Sequence, residues 1–363
     1  MLHSLRVSGK TGVLYRSSRG ILGGLALLLL AVAALAACTG AVEIGYAELL
    51  QIIGHKLGLA APSAALEKGP VLLIIRLPRI VLGILAGASL GISGAALQGL
   101  FRNPLAEPGL IGISSGAALF ATAVIVLEGS LLKGFRELTG YYGLMLAAFA
   151  GACLCALLVY RMAVSGGRAV VAMLLLAGIA INALSGSFTG LLTYLSSNEQ
   201  LRTITFWMLG SLGGASWQTV TALLPFTIIP LLALPLMGKP LNAFSLGEQQ
   251  AFHLGISTGR VKKIVLLLAT MAVGASVAVS GVIGFIGLVV PHILRMGFGA
   301  DHRLVLPGSA LLGATVLLLS DLLARTIVAP AELPIGIVTA VIGCPVFIYI
   351  IFKERKKNYI RGI

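Results

Sequence analysis

Three arginines stand where charge is costly. Arg76 and Arg79 bracket Leu77-Pro78 at the head of an apolar run, and Arg325 sits near the end of another, four residues after Asp321. A guanidinium is always ionised and holds five donors in a fixed fork, so three of them close to span ends want a reason. On one helix, Asp321 and Arg325 at i and i+4 can neutralise each other. A second candidate is Leu246-Gly247-Glu248-Gln249-Gln250-Ala251-Phe252-His253-Leu254-Gly255-Ile256. It reads as a short helix with a glycine stop at Gly255, presenting Leu246, Phe252 and Ile256 as an apolar face beside the charge of Glu248. A protein partner is the chemistry that face fits. Asn182, Ser185, Ser187 and Thr189 place small hydrogen-bonding groups along one apolar run, a lining suited to a bulky capped cargo rather than a bare ion.

Catalytic patterns are missing. The chain has no HExxH, no GxSxG and no aspartate pair on one helix face. Ser8-Gly9-Lys10-Thr11 resembles a phosphate loop, but the required first glycine is Ser4 and no strand precedes it. Cys38, Cys153, Cys155 and Cys344 lie in or beside apolar runs. The two-residue offset of Cys153 and Cys155 suits neither one helix face nor a metal site. No metal and no cofactor is called for. A proton- or sodium-coupled carrier would carry unpaired carboxylates or histidines deep in its spans. Asp321, Glu332 and His292 make no such relay, although an ion-coupled secondary carrier and a membrane enzyme are the rival classes.

The elements that must position these groups are membrane helices. Hydrophobic residues make 58% of the chain, charged residues 10%, and mean hydropathy is +1.03, against about 25% charged in a soluble domain. Apolar runs at 20–37, 77–101, 109–127, 141–160, 169–194, 217–237, 261–282, 283–298, 304–327 and 334–352 predict an all-α polytopic bundle of about ten spans. The run 261–298 makes two spans only if it breaks near Gly281–Gly287. Residues 1–19 form a basic tail, 20–355 the transmembrane domain with a wide loop at 240–260, and 356–363 a second basic tail. The apolar run after the tail reads as a first span rather than a cleaved signal, because further spans follow. Residues 39–70 predict an amphipathic helix on the membrane surface.

With an inside N-terminus, 18 of the 26 lysines and arginines fall in inside segments and 8 outside, so both termini are expected in the cytoplasm. This spread assigns the net charge of +14 to membrane lipid and topology rather than to nucleic acid. Arg76, Arg79 and Arg325 break the trend. Gly83, Gly87, Gly91, Ala95 and Gly99 recur every fourth residue, the small-residue ladder that lets another helix approach closely in lipid. Gly87-Ala88-Ser89 with Ser93-Gly94 recurs as Gly274-Ala275-Ser276 with Ser280-Gly281, and the two copies run in opposite directions, as in an inverted repeat.

Several motifs in order then carry a family resemblance. RLPR at 76–79, NPLAEPG at 103–109, LGEQQAFHLGI at 246–256, GFIGLVVPHILR at 284–295, DHRLVLPG at 301–308 and ELPIGIVTAVIGCPVFI at 332–348 resemble the FecCD-type permeases of type II ABC importers. These take up iron–siderophores, haem and cobalamin. The resemblance covers about 70 to 355. It implies a ten-span, non-enzymatic transport subunit of the cell membrane that works as a dimer with a second permease copy. Two cytoplasmic ATPase subunits drive it, and an extracytoplasmic binding protein delivers cargo. It also implies that Leu246, Gly247, Glu248, Ala251, Phe252, His253, Leu254 and Gly255 form the coupling helix in the ATPase cleft. Arg76, Arg79 and Arg325 are implied to meet glutamates of the binding protein. Residues 194–217 and 109–119 look most like haem permeases, with iron–siderophore next and cobalamin or another metal chelate as the alternative.

Overall fold

The computed structural model describes residues 10–59, 61, 64–128, 132–165 and 168–360. Its helices are α1 (Lys10–Cys38), α2 (Tyr46–Lys56), α3 (Leu77–Phe101), α4 (Ile113–Leu127), α5 (Lys133–Thr139), α6 (Gly143–Ala163), α7 (Val171–Tyr194) and α8 (Asn198–Leu209). They continue as α9 (Trp217–Ala233), α10 (Gly238–Phe244), α11 (Glu248–His253), α12 (Thr258–Ser280), α13 (Ile286–Phe298), α14 (His302–Thr326) and α15 (Ile335–Ile360). Two-residue strands β1 (Val164–Ser165) and β2 (Arg168–Ala169) pair as a hairpin between α6 and α7.

Among the described residues seven helices are long and apolar enough to cross a membrane, and three shorter apolar helices, Ile113–Leu127, Ile286–Phe298 and Ile335–Tyr349, join them. Each of the ten runs read from the sequence overlaps one of these helices. The ends differ. α1 begins at Lys10 and α15 continues to Ile360, both beyond the apolar runs. Ser8 and Gly9 of the loop-like tetrapeptide, and residues 361–363, lie outside the described residues. α2 buries Leu49 and Ile52 against Val32, Ala36 and Cys38 of α1, so the predicted surface helix is held by protein as well.

The glycine ladder of α3 meets α14. A Cβ added at Gly83 would lie 2.8 Å from Leu318, and one at Gly87 would lie 2.5 Å from the Gly313 carbonyl. At Gly91 it would strike the Ser309 carbonyl and at Gly99 the His302 ring. Partner numbers fall as ladder numbers rise, so the helices are antiparallel with backbones in contact. Ala95 is fully buried, and Gly94 abuts the Gly287 carbonyl of α13. α3 packs with α14, α12 and α13, and α12 packs with α3, α6, α9 and α4.

The break in 261–298 falls where expected. α12 ends at Gly281 (φ 71°), and α13 begins after Phe285, which has φ 68° despite its side chain. Unwound backbone survives in lipid only when protein surrounds it. Gly281 and Ile283 are buried, and Gly281 abuts the Trp207 carbonyl of α8. Gly87→Val forces α3 and α14 apart. Overpacking of this kind costs about 1–3 kcal/mol, so a lower unfolding temperature in detergent is expected. Gly24→Ala, with nothing within 4 Å of its new Cβ, is expected to match the parent.

Candidate functional site

At one end of the bundle the three arginines converge and each donates to groups of the chain, with Arg325 Nε left buried and without a hydrogen bond. The last carbonyls of a helix lack intrahelical donors, and α1 has no basic residue in its own last turn. Arg76 supplies the donors from the turn before α3: it is 5% exposed and its Nη1 donates to the carbonyls of Ala37 at 2.6 Å and Cys38 at 3.1 Å. Its Nη2 donates to the Val42 carbonyl. Arg325 Nη2 donates to the Ala36 carbonyl at 2.6 Å. Cations at a helix C-terminus also meet the favourable end of its dipole. Gly40 fits here because a Cβ would lie 2.7 Å from Arg76 Nη2.

Arg79 closes the cluster. Its Nε and Nη2 donate to Asp321 at 2.8–3.1 Å, and Nη1 and Nη2 donate to Glu332 at 2.7 and 3.0 Å. The expected i,i+4 pair is therefore secondary: Arg325 Nε stands 3.8 Å from Asp321, whose main partner is Arg79. A forked guanidinium takes two carboxylates at once, and the near-buried Asp321 needs the closer one. Glu332 was legible only as an acid near a span end; in the structure it is the most exposed member of the cluster, with 43% of its side chain accessible. The Arg79 hydrogen bond holds the Glu332 carboxyl below the usual glutamate range. Its folded-state value being lowered, the pair persists at neutral pH and is lost only as pH falls through that depressed value.

At the other end, α11 forms the core of the 246–256 segment. Leu246, Phe252 and Leu254 are exposed, while Ala251 is fully buried and Gly247 and Gly255 take positive φ at its two ends. Ile256 packs partly against the core and so leaves the expected apolar face. His253 stacks edge-on to Phe252, and Glu248 pairs with Lys262 of α12 rather than standing free. The sequence signal for that pair was weak, since 14 residues and a turn separate the two.

The four pathway candidates divide. Ser115 Oγ donates to Asn182 Oδ1, Asn182 Nδ2 donates to the Gly109 carbonyl at 3.0 Å, and Ser185 is buried with its Oγ 3.7 Å from Cys155. Thr189 Oγ1 donates to the Ser185 carbonyl. These three face α4 and α6; Ser187, with its Oγ on the Ala183 carbonyl, lies on the opposite, exposed side. Positions 182, 185 and 189 share one helix face and 187 does not. Sequence reasoning also passed over α8, whose Ser197 and Gln200 form a reciprocal capping box that marks its start. Among the described residues no group of His, Cys, Asp and Glu could hold a metal ion.

The model of the FecCD transport family matches residues 27–353. The chain belongs to this family. The hemin transport system permease protein HmuU of Yersinia pestis is 48% identical over 288 residues, covering 78% of this chain and 84% of that protein. The cobalamin import system permease protein BtuC of Halobacterium salinarum is 42% identical over 282 residues, covering 78% of this chain and 73% of that one. A solved metal-chelate type ABC transporter in an inward-facing conformation superposes with a TM-score of 0.79 at 33% identity, covering 92% of this chain and 99% of that one. This FecCD-family chain is thus a multi-pass membrane permease of an ABC importer and not a catalytic subunit. Such a permease implies separate ATPase and binding-protein subunits.

Arg76→Met removes a donor from the carbonyls of Ala37, Cys38 and Val42, of which Cys38 keeps the Ile44 amide. An orphaned buried polar group costs about 1–3 kcal/mol, so thermal unfolding in detergent is expected to shift clearly downward. An unchanged transition would mean that solvent satisfies those carbonyls.

Proposed function

We propose that this permease moves haem into the cytoplasm as one of two ten-span copies in a dimer. Support for the cargo is the 48% identity to a hemin permease, against 42% to a cobalamin permease over the same share of this chain. Iron–siderophore is the second reading, and a cobalamin or other chelate the third. ATP-driven closing of the cytoplasmic ATPase subunits pushes the 246–256 segments and switches the path between outward and inward access. Leu246, Phe252 and Leu254 supply the apolar contact and Gly247, Ala251, His253 and Gly255 its shape. Ser187, on the open face of α7, is the pathway candidate best placed to meet cargo; Asn182 and Ser185 hold that helix to its neighbours, and Thr189 bonds within it.

Docking of the binding protein takes place at the arginine end. Arg76 and Arg325 are committed to the α1 carbonyls, so the arginine open to exchange is Arg79. An incoming glutamate takes over the arm now held by the exposed Glu332, while Asp321 keeps the other. Charge exchange of this kind sets register and association rate more than raw affinity.

Two measurements test these assignments. Arg79→Ala is expected to weaken binding-protein docking at least about tenfold, an energy of about 1.4 kcal/mol, with ATPase assembly kept. Glu332→Gln is expected to tighten docking, and unaltered docking in both variants would remove the role. For cargo, the binding protein captured on this permease should carry a ligand with the absorption bands of haem. A colourless iron chelate or a corrinoid spectrum would decide for one of the other readings.

A further inference from the structure

The N-terminal turns of α12 carry three cations, Arg260, Lys262 and Lys263, where the helix dipole disfavours positive charge. Arg260 and Lys263 are exposed and keep their heads in water. Lys262 does not: its side chain is 2% exposed. A buried ammonium is tolerated only when paired and hydrogen-bonded. Its Nζ lies 2.5 Å from Glu248 Oε1, on the first residue of α11, and donates to the carbonyl of Ala169 at 2.5 Å. Ala169 belongs to the β1–β2 hairpin, two residues before α7 begins. One ammonium therefore joins three elements: the segment facing the cytoplasmic partner, the base of α12, and the lead-in to α7.

We propose that Lys262 is the positioning residue that carries displacement of the 246–256 segment into both α12 and α7. The inference rests on reading that segment as the contact with the ATPase. If α11 moves alone, Lys262 loses its acidic partner while remaining buried. Breaking a buried pair on one side is the most costly way to move it. Displacement with the pair intact draws the Ala169 carbonyl along, and with it the start of α7, whose open face bears Ser187. The Glu248 end stays partly solvated, so the joint can pivot without being pulled apart.

The test uses the permease assembled with its ATPase subunits in lipid nanodiscs, with the binding protein added. It follows two readouts: stimulation of ATP hydrolysis by the binding protein, and the ATP-dependent change in maleimide labelling at Ser187→Cys in a background without the four native cysteines. Lys262→Met is expected to assemble and hydrolyse ATP, but to lose stimulation at least about fivefold and to abolish the labelling change. Lys262→Arg, which keeps the cation, is expected to recover much of both, and Lys263→Met to behave as the parent. Should Lys262→Met fail to assemble, Glu248→Gln with Lys262→Met leaves no unpaired charge and gives the same test. Stimulation and labelling like the parent in the methionine variants overturn the proposal, and so does failure of both to assemble, which makes Lys262 structural only. Phe252→Asp separates the two levels. If it leaves ATPase assembly and stimulation untouched, the contact reading itself fails; if it disrupts them while Lys262→Met is coupled normally, only the inference about Lys262 fails.

Discussion

The backbone of α3 touches that of α14 at Gly87, Gly91 and Gly313, and the rest of the chain is arranged so that this seam can close. Lipid offers no hydrophobic drive for two apolar helices to associate, so association depends on close packing. Only glycine permits carbonyl oxygens of one helix to rest against the Cα atoms of the other. Once the two axes are so near, their side chains diverge to either side, and α13, α12 and α9 fill the space against α3. The arginine cluster sits at one end of this seam. Arg79 of α3 and Asp321 of α14 fix the register that the glycines leave free to slide.

The same seam explains how a broken helix is tolerated beside it. Pro291 has no amide hydrogen, so the Gly287 carbonyl loses its intrahelical donor. Gln98 of α3 replaces it: its Nε2 donates to the carbonyls of Gly287 at 3.2 Å and Leu288 at 3.1 Å. Arg295 in turn donates to Gln98 Oε1 and to the Ala95 carbonyl, so the amide is held in the orientation that serves α13. Gly94 allows α13 to approach closely enough for this. The PH motif of α13 and the glycine-rich stretch of α3 are thus one unit, although 189 residues separate Gln98 from Gly287.

Much of this was legible because bilayer thickness and hydrogen-bond satisfaction leave few choices. The spans, the break near Gly281 and the ladder on α3 follow from apolar length and glycine spacing alone. What escaped has a common cause. Arg79–Glu332, Lys262–Ala169 and Gln98–Gly287 each join residues far apart in sequence, and a polar side chain at a span end looks the same whether it meets water, lipid headgroups or a distant carbonyl. Asp321 was paired on paper with Arg325 because i,i+4 is the nearest available geometry; Arg79 takes it because its fork approaches with three hydrogen bonds. α8 escaped for a different reason. It is too short and polar to span, and only its capping box at Ser197 and Gln200 announces it.

The two ends of the permease use different physics, and the difference follows from what surrounds them. At the arginine end, three guanidinium groups face two carboxylates, so an excess positive charge remains after internal pairing, and a partner bearing carboxylates is attracted before it touches. Two of the arginines are held by carbonyls at the end of α1, and on the proposed docking the exchange falls to Arg79 and the exposed Glu332. At the opposite end, the charge of Glu248 is already taken by Lys262, and what faces outward is Leu246, Phe252 and Leu254. An apolar face gives contact without long-range steering and does not weaken with salt. On the proposed assignment, exchangeable charge suits a delivery protein that must arrive, discharge and leave, and packed apolar contact with a buried ionic joint behind it suits an ATPase that stays bound and pushes.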